Sequence, residues 1–130
     1  MAGLLNAPNM GAYNVTKHAV VSLSETLFHD LSLVSEQVHA HVLCPYFVPT
    51  GIHQSERNRP AEMQESDVRP TRSQLIAQAM SDKAVTSGKV MAAQVAQFVM
   101  DAVRESRFYV YSHPKSLASV QTRLEDIMLG

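Results

Sequence analysis

Cysteine is nearly absent from this sequence, since Cys44 is the only one in 130 residues. A single cysteine excludes an intrachain disulfide framework, so a reducing cytoplasm is the expected location. Tryptophan is missing, and the five glycines stand at positions 3, 11, 51, 88 and 130. Glycines so spaced cannot form the G-x-G-x-x-G loop that holds the phosphates of a dinucleotide.

Neither sign of charge is in excess, with 11 Lys and Arg against 12 Asp and Glu and a net charge of −1. The basic residues are scattered, so we expect no nucleic-acid partner. No apolar run approaches the roughly 20 residues that a membrane span requires, and the first nine residues lack the pattern of a signal peptide. We therefore expect no membrane association. The composition, 45% apolar and 18% charged, is that of an ordinary globular protein.

The apolar pattern predicts helices that alternate with strands. A helix is predicted over 12–35 because one stripe recurs at helical spacing, while Val21 and Phe28 mark a second apolar side. That stripe consists of Val20, Leu23, Leu27, Leu31 and Val34. The segment 38–44, VHAHVLC, predicts a strand that ends before Pro45.

The remainder continues the alternation. Residues 45–67 are predicted to form a loop, and further elements follow as a helix over 69–81, a helix over 92–105, a strand over 108–111 and a closing helix that begins near Pro114. Such alternation predicts an α/β architecture with a parallel sheet. Two strands leave the edges of such a sheet exposed, so we expect further strands upstream.

Tyr13 and Lys17 stand four residues apart at the start of the first predicted helix, which places both on one face. A phenol ordinarily has a pKa near 10, and a nearby ammonium favours the phenolate that proton exchange requires. The spacing alone is common and weakly diagnostic. Tyr111 and Lys115 share it, but Pro114 lies between them at a strand-to-helix junction, so we discard that pair.

Three segments in order resemble the short-chain dehydrogenase/reductase family. MAGLLNAPNMGAYNVTKHAVVSLSETL is similar to its active-site loop and Y-x-x-x-K helix, CPYFVPTGI to its Pro-Gly-x-Val-x-Thr turn, and FYVYSHP to its seventh strand. The resemblance implies the C-terminal part of a Rossmann-type doubly wound parallel sheet within one domain over 1–130. Its predicted parts are an active-site helix 12–35, a strand 38–44, a substrate loop 51–90 and a terminal helix-strand-helix 92–127.

The resemblance also implies roles for individual residues. Tyr13 would be the general acid/base, and Lys17 would favour its phenolate and bind the nicotinamide ribose. Pro45, Val48 and Thr50 would meet the nicotinamide of NAD or NADP, and the substrate would be a small alcohol or ketone. Tyr46 stands where the family most often has glycine, which permits backbone conformations that tyrosine does not. The helix 12–35 would join a homodimer or homotetramer.

Other parts of the family pattern are absent. The family's serine lies thirteen residues before its tyrosine, which here falls one position before Met1. We therefore expect Met1 to be an internal methionine or the sequence to be a fragment, and the chain alone not to be a competent dehydrogenase. The alternatives are a non-catalytic chain that acts in oligomerisation or interaction, and a related non-redox activity such as an epimerase or dehydratase.

Some further residues carry weaker signals. His39 and His41 would share one face of a strand, but no neighbouring ligand completes a set, so we predict no metal site. Cys44 has no adjacent base and is interpreted as a buried structural thiol. Met63 and Met80 lie in the predicted substrate loop, where they either contact a substrate or fill the core.

Overall fold

The computed structural model describes residues 1–63 and 69–130. Residues 64–68, part of the predicted substrate loop, lie outside the described residues. The helices are α1 (Gly11–Val34), α2 (Arg72–Thr86), α3 (Ala92–Arg104) and α4 (Leu117–Leu129), and the strands are β1 (Val42–Cys44) and β2 (Tyr109–Tyr111). Short 3-10 segments cover Gly51–Asn58, Ala61–Met63 and Pro114–Ser116.

The described chain divides into two compact units. The first contains Met1–Tyr46 and Ala93–Gly130, and the second contains Phe47–Ala92. The first unit therefore holds α1, α4, both strands and all of α3 except Ala92, whereas the second holds α2 and the 3-10 segments of the middle region. The single domain over 1–130 stays a prediction.

The two strands form a parallel pair. Val42 lies opposite Tyr109, Leu43 opposite Val110 and Cys44 opposite Tyr111. The ladder starts at Val42, whose N–H donates to the carbonyl of Phe108 over 2.8 Å. The strand is shorter than the predicted 38–44 because the chain before Val42 finds no ladder partner among the described residues.

Alternation along β1 determines which side chains are buried. Val42 and Cys44 are buried on the face where Val21 and Met1 pack, whereas Leu43 points the other way and is 40% exposed. In β2 the central Val110 is 1% exposed. The core of the first unit is thus built from β-branched and small apolar side chains that the two strands hold in register.

Helix α1 packs on this core with the second of its two predicted apolar sides. Val21 is buried, and the ring of Phe28 lies 4.8 Å from that of Phe108. Between them, Glu25 accepts a hydrogen bond from the hydroxyl of Tyr109. The longer stripe that predicted the helix faces outward, with Leu23 71% exposed and Val34 80% exposed.

The second unit is organised around α2. The helix begins at a capping box in which Thr71 and Gln74 satisfy each other's backbone N–H groups. It runs past the predicted end at residue 81 to Thr86. Gly88 then lies against the backbone, because a Cβ at this position would stand 2.8 Å from the carbonyl oxygen of Phe47. This close approach requires a glycine.

The Glu25–Tyr109 contact predicts a pH dependence of stability. Burial raises the pKa of the Tyr109 hydroxyl, and the hydrogen bond to Glu25 raises it further. An unfolded tyrosine has a pKa of about 10, so this contribution is present below about pH 10 and is lost as the pH rises toward the folded value. Tyr109→Phe should cost about 1 kcal/mol at neutral pH and should flatten the alkaline loss of unfolding free energy.

Urea unfolding followed by circular dichroism at about pH 8 and about pH 10.5, on either side of the unfolded pKa, measures this difference. Glu25→Gln is the companion variant, because it keeps an acceptor and removes the charge. It should make the alkaline loss smaller, because the loss still begins near the unfolded pKa but ends at a lower folded pKa. Equal alkaline slopes in the wild type and Tyr109→Phe would contradict the prediction.

Burial of Cys44 predicts that its thiol is alkylated slowly. The residue is 4% exposed, and burial raises the pKa of its thiol, with Glu25 adding to the rise. Because the thiolate is the reactive form, iodoacetamide at about pH 8 should alkylate the folded protein at least 10-fold more slowly than the protein in guanidinium. Mass spectrometry follows the reaction without ambiguity, since the chain has no second cysteine. Labelling at the unfolded rate would show that Cys44 is accessible.

Candidate active site

The first turn of α1 presents Tyr13. A left-handed residue, Asn9 (φ 61°), turns the chain just before the helix, a conformation that asparagine tolerates better than most residues. The helix then begins at Gly11, and the carbonyl of Met10 accepts from the N–H of Asn14 over 2.8 Å. Tyr13 follows two residues into the helix and is 38% exposed.

Lys17 lies one turn after Tyr13 on the same side of α1. Its Nζ is 5.4 Å from the centroid of the Tyr13 ring, within the range of a cation–π contact. Within residues 1–63 and 69–130, neither the Tyr13 hydroxyl nor the Lys17 ammonium has a hydrogen-bond partner. The pair therefore offers one hydroxyl and one cation to a ligand.

The segment before α1 is held against the helix by two features. Asn14 is 5% exposed, and its Nδ2 donates to the carbonyl of Ala7 over 2.9 Å. A Cβ on Gly3 would stand 2.5 Å from a methyl of Val21 and 2.7 Å from the carbonyl oxygen of Lys17. Only a glycine permits this approach, which lays the segment along the helix beside the candidate pair.

The carbonyl of Pro45 accepts a hydrogen bond from the nitrogen of Met1. Tyr13, Lys17 and Pro45 all belong to the first unit. Their assembly into one site stays a prediction.

Val48 and Thr50 belong to the second unit. Val48 is half-buried, whereas Thr50 is exposed and its hydroxyl accepts from the N–H of Ile52 at 3.4 Å. The Thr50 carbonyl contacts Nδ1 of His53 at 3.0 Å, so the turn passes directly into the 3-10 segment Gly51–Asn58. The unit boundary falls between Tyr46 and Phe47, within the predicted cofactor turn. The roles of Val48 and Thr50 stay predictions.

The discarded pair, Tyr111 and Lys115, does not share a helix. Tyr111 ends β2, and Lys115 lies in the 3-10 segment that begins at Pro114. The sequence argument against this pair is confirmed.

The sequence did not predict the structural roles of two residues near the candidate site, Asn14 and Ser112. Asn14 follows Tyr13 and occupies the inner side of α1, where a polar residue among apolar ones signals a buried hydrogen bond. Ser112, 3% exposed, accepts the N–H of Tyr46 over 2.9 Å. Its partner is 66 positions distant in the chain, so no local pattern predicts the contact.

Two general properties bear on other classes of site. Across the described ranges 1–63 and 69–130, His, Cys, Asp and Glu form no group of three or more that could hold a metal ion. In the same ranges, every helix is too short or too polar to cross a membrane.

Comparison with known proteins identifies relatives that extend over nearly the whole chain. No family model matches. The chain is 29% identical over 130 residues to the CLA biosynthesis dehydrogenase/reductase of Lactiplantibacillus plantarum, covering 98% of this chain and 45% of that protein. It is similar in structure (TM-score 0.92) and 52% identical to a short chain dehydrogenase/reductase from Burkholderia phymatum, whose crystal structure was determined in complex with NAD.

That alignment again covers 98% of this chain and 45% of the other, so the chain spans less than half the length of each relative. The high TM-score confirms the predicted α/β class and the Rossmann-type fold. Sequence motifs, fold and relatives therefore agree: over nearly its whole length the chain is similar to part of a short-chain dehydrogenase/reductase.

Proposed function

We propose that this chain carries the acid/base part of an NAD(P)-dependent oxidoreductase that interconverts alcohols and carbonyl compounds. The observation that carries the proposal is the exposed Tyr13–Lys17 pair, one helical turn apart with Nζ 5.4 Å from the phenol ring. Support comes from the relative of known structure, which is an NAD complex, and from the curated relative, which is a dehydrogenase/reductase.

The available donors fit a nicotinamide nucleoside. Ribose hydroxyls accept hydrogen bonds, and the Lys17 ammonium has three N–H donors with no acceptor among the described residues. The exposed hydroxyl of Thr50 can both donate and accept, as a carboxamide requires. Lys17 would therefore hold the ribose, while Pro45, Val48 and Thr50 would meet the nicotinamide.

The chemistry of the chain is proton transfer at the Tyr13 hydroxyl. A nicotinamide, when bound, would supply or accept the hydride. In carbonyl reduction, Tyr13 donates its proton to the substrate oxygen. In alcohol oxidation, its phenolate accepts the proton from the substrate hydroxyl. Lys17, as a neighbouring cation, stabilises the negative charge that Tyr13 carries between the two events.

NAD is the cofactor we favour, because the relative of known structure holds NAD, with NADP as the alternative for the assay to distinguish. A small secondary alcohol or ketone is the proposed substrate class. A cytoplasmic location is proposed from the single cysteine of the chain.

A second copy of the chain is the proposed partner of α1, as a homodimer or homotetramer. The support is the outward apolar stripe, on which Val20 is 52%, Leu23 71% and Val34 80% exposed. An exposed apolar surface of this kind marks an interaction site. Oligomerisation without catalysis is the competing function, and the same stripe favours it.

The first test is turnover by the protein as its gene encodes it, with a panel of ketones and secondary alcohols and with NAD(H) and NADP(H), followed by nicotinamide absorbance. Tyr13→Phe should lower kcat by about 10²–10⁴-fold, because the proton donor is lost. Lys17→Ala should lower kcat and raise the KM for cofactor, since it removes both the ribose donor and the cation.

Tyr111→Phe and Lys115→Ala are matched controls, because they remove the same groups from the discarded pair. Both should retain rates within about twofold of the wild type, because neither group is proposed to contact the cofactor or the substrate. Wild-type turnover in Tyr13→Phe would overturn the assignment. If the folded protein neither binds nor turns over either cofactor, the oligomerisation reading replaces the enzymatic one.

The outward stripe is tested separately. Leu23→Lys places a charge at the centre of the proposed interface and should reduce the mass measured by light scattering toward that of one chain. Leu33→Lys is the control, since Leu33 is 82% exposed on another side of α1 and should leave the mass unchanged. Identical masses for wild type and Leu23→Lys would exclude this surface as the interface.

A further inference from the structure

The buried hydroxyl of Ser112 lies beside the turn that follows β1. Ser112 follows β2 directly and is 3% exposed. Its Oγ accepts the N–H of Tyr46 over 2.9 Å and lies 2.8 Å from Nδ1 of His113. Because the hydroxyl can accept and donate at once, it links the backbone of the Pro45–Tyr46 turn to the imidazole.

The ladder itself cannot supply this contact. The β1–β2 pairing ends at Cys44 and Tyr111, so neither Tyr46 nor Ser112 is one of its register partners. Beyond the ladder, the Ser112 hydroxyl accepts the N–H of Tyr46. A side-chain oxygen thus takes the place that a backbone carbonyl has within the ladder. The start of the predicted cofactor turn is thus attached to the end of the neighbouring strand.

The side chain of Tyr46 makes a separate contact in the same place. The Tyr46 ring packs edge-on against the ring of His113, with centroids 5.6 Å apart and an interplanar angle of 62°. His113 is itself held, since the Ser116 hydroxyl donates to its carbonyl over 2.6 Å. The tyrosine at position 46 therefore packs against a defined neighbour, although the family most often has glycine at this position.

We propose that Ser112 is a positioning residue for the cofactor: through the N–H of Tyr46 it holds the backbone at Pro45 in the conformation that receives the nicotinamide. The inference rests on the proposed function and deepens it. Ser112 does not touch the reacting atoms, so its loss should weaken cofactor binding without changing the chemical step.

Two readouts test this in the protein as its gene encodes it. Amide hydrogen exchange at Tyr46, followed by mass spectrometry, should be protected in the wild type and accelerate at least 10-fold in Ser112→Ala. NADH titration by fluorescence should give a Kd about 5–10-fold higher in Ser112→Ala, the effect of losing one hydrogen bond to a buried group. The kcat at saturating cofactor should stay within about twofold.

Two further variants make the test specific. Ser112→Thr keeps the hydroxyl and should restore both the protection and the affinity. Ser32→Ala removes a hydroxyl that likewise bonds the backbone three residues away, in the last turns of α1, and should leave the Tyr46 amide and the Kd unchanged. Circular dichroism confirms that each variant is folded.

The outcomes separate the two claims. Unchanged exchange at Tyr46 in folded Ser112→Ala overturns the role of the hydrogen bond. Faster exchange with an unchanged Kd overturns the positioning role and leaves the proposed function intact. A wild type that binds no nicotinamide cofactor overturns the proposed function and the positioning role with it.

Discussion

The parallel pairing of β1 with β2 is the constraint on which the first unit depends. Three residue pairs, from Val42–Tyr109 to Cys44–Tyr111, determine which side chains enter the core and where each strand ends. Parallel strands end at the same edge of a sheet, so Pro45 and Ser112 leave the ladder side by side. A register shift of one residue would turn Val42 and Cys44 away from α1 and separate Ser112 from Tyr46.

Helix α1 shows how a site and a packing surface share one element. Its inner side carries Asn14 and Glu25 between apolar residues: Nδ2 of Asn14 donates to the carbonyl of Ala7, and Glu25 accepts from the hydroxyl of Tyr109. Its outer side is more apolar and remains exposed in the single chain. Hydrogen bonds offset the cost of burying the inner polar groups, whereas an exposed apolar stripe favours association with another surface.

Element types were predictable from the sequence where periodicity was long. The pattern of α1 predicted 12–35, and the helix runs from Gly11 to Val34, because 24 residues of regular spacing determine both ends closely. Strand length was less predictable: VHAHVLC has strand propensity throughout, but only the three residues opposite β2 form a ladder. The end of α2 was also missed, since Lys83–Thr86 have no apolar repeat and the helix continues on backbone hydrogen bonds until the close approach at Gly88.

In the candidate site, too, contacts within one helix were predictable, whereas contacts between distant segments were not. Tyr13 and Lys17 were predictable because a helix links residues four apart, and the same spacing fails at Tyr111 and Lys115, where Pro114 starts a separate 3-10 segment. Ser112 was not predictable, because its partner is 66 positions away and becomes adjacent only once the two strands pair. A short motif thus predicts which side chains lie together within one helical turn. The group that holds the Pro45–Tyr46 turn follows the neighbouring strand, and the register of β1 on β2 brings it there.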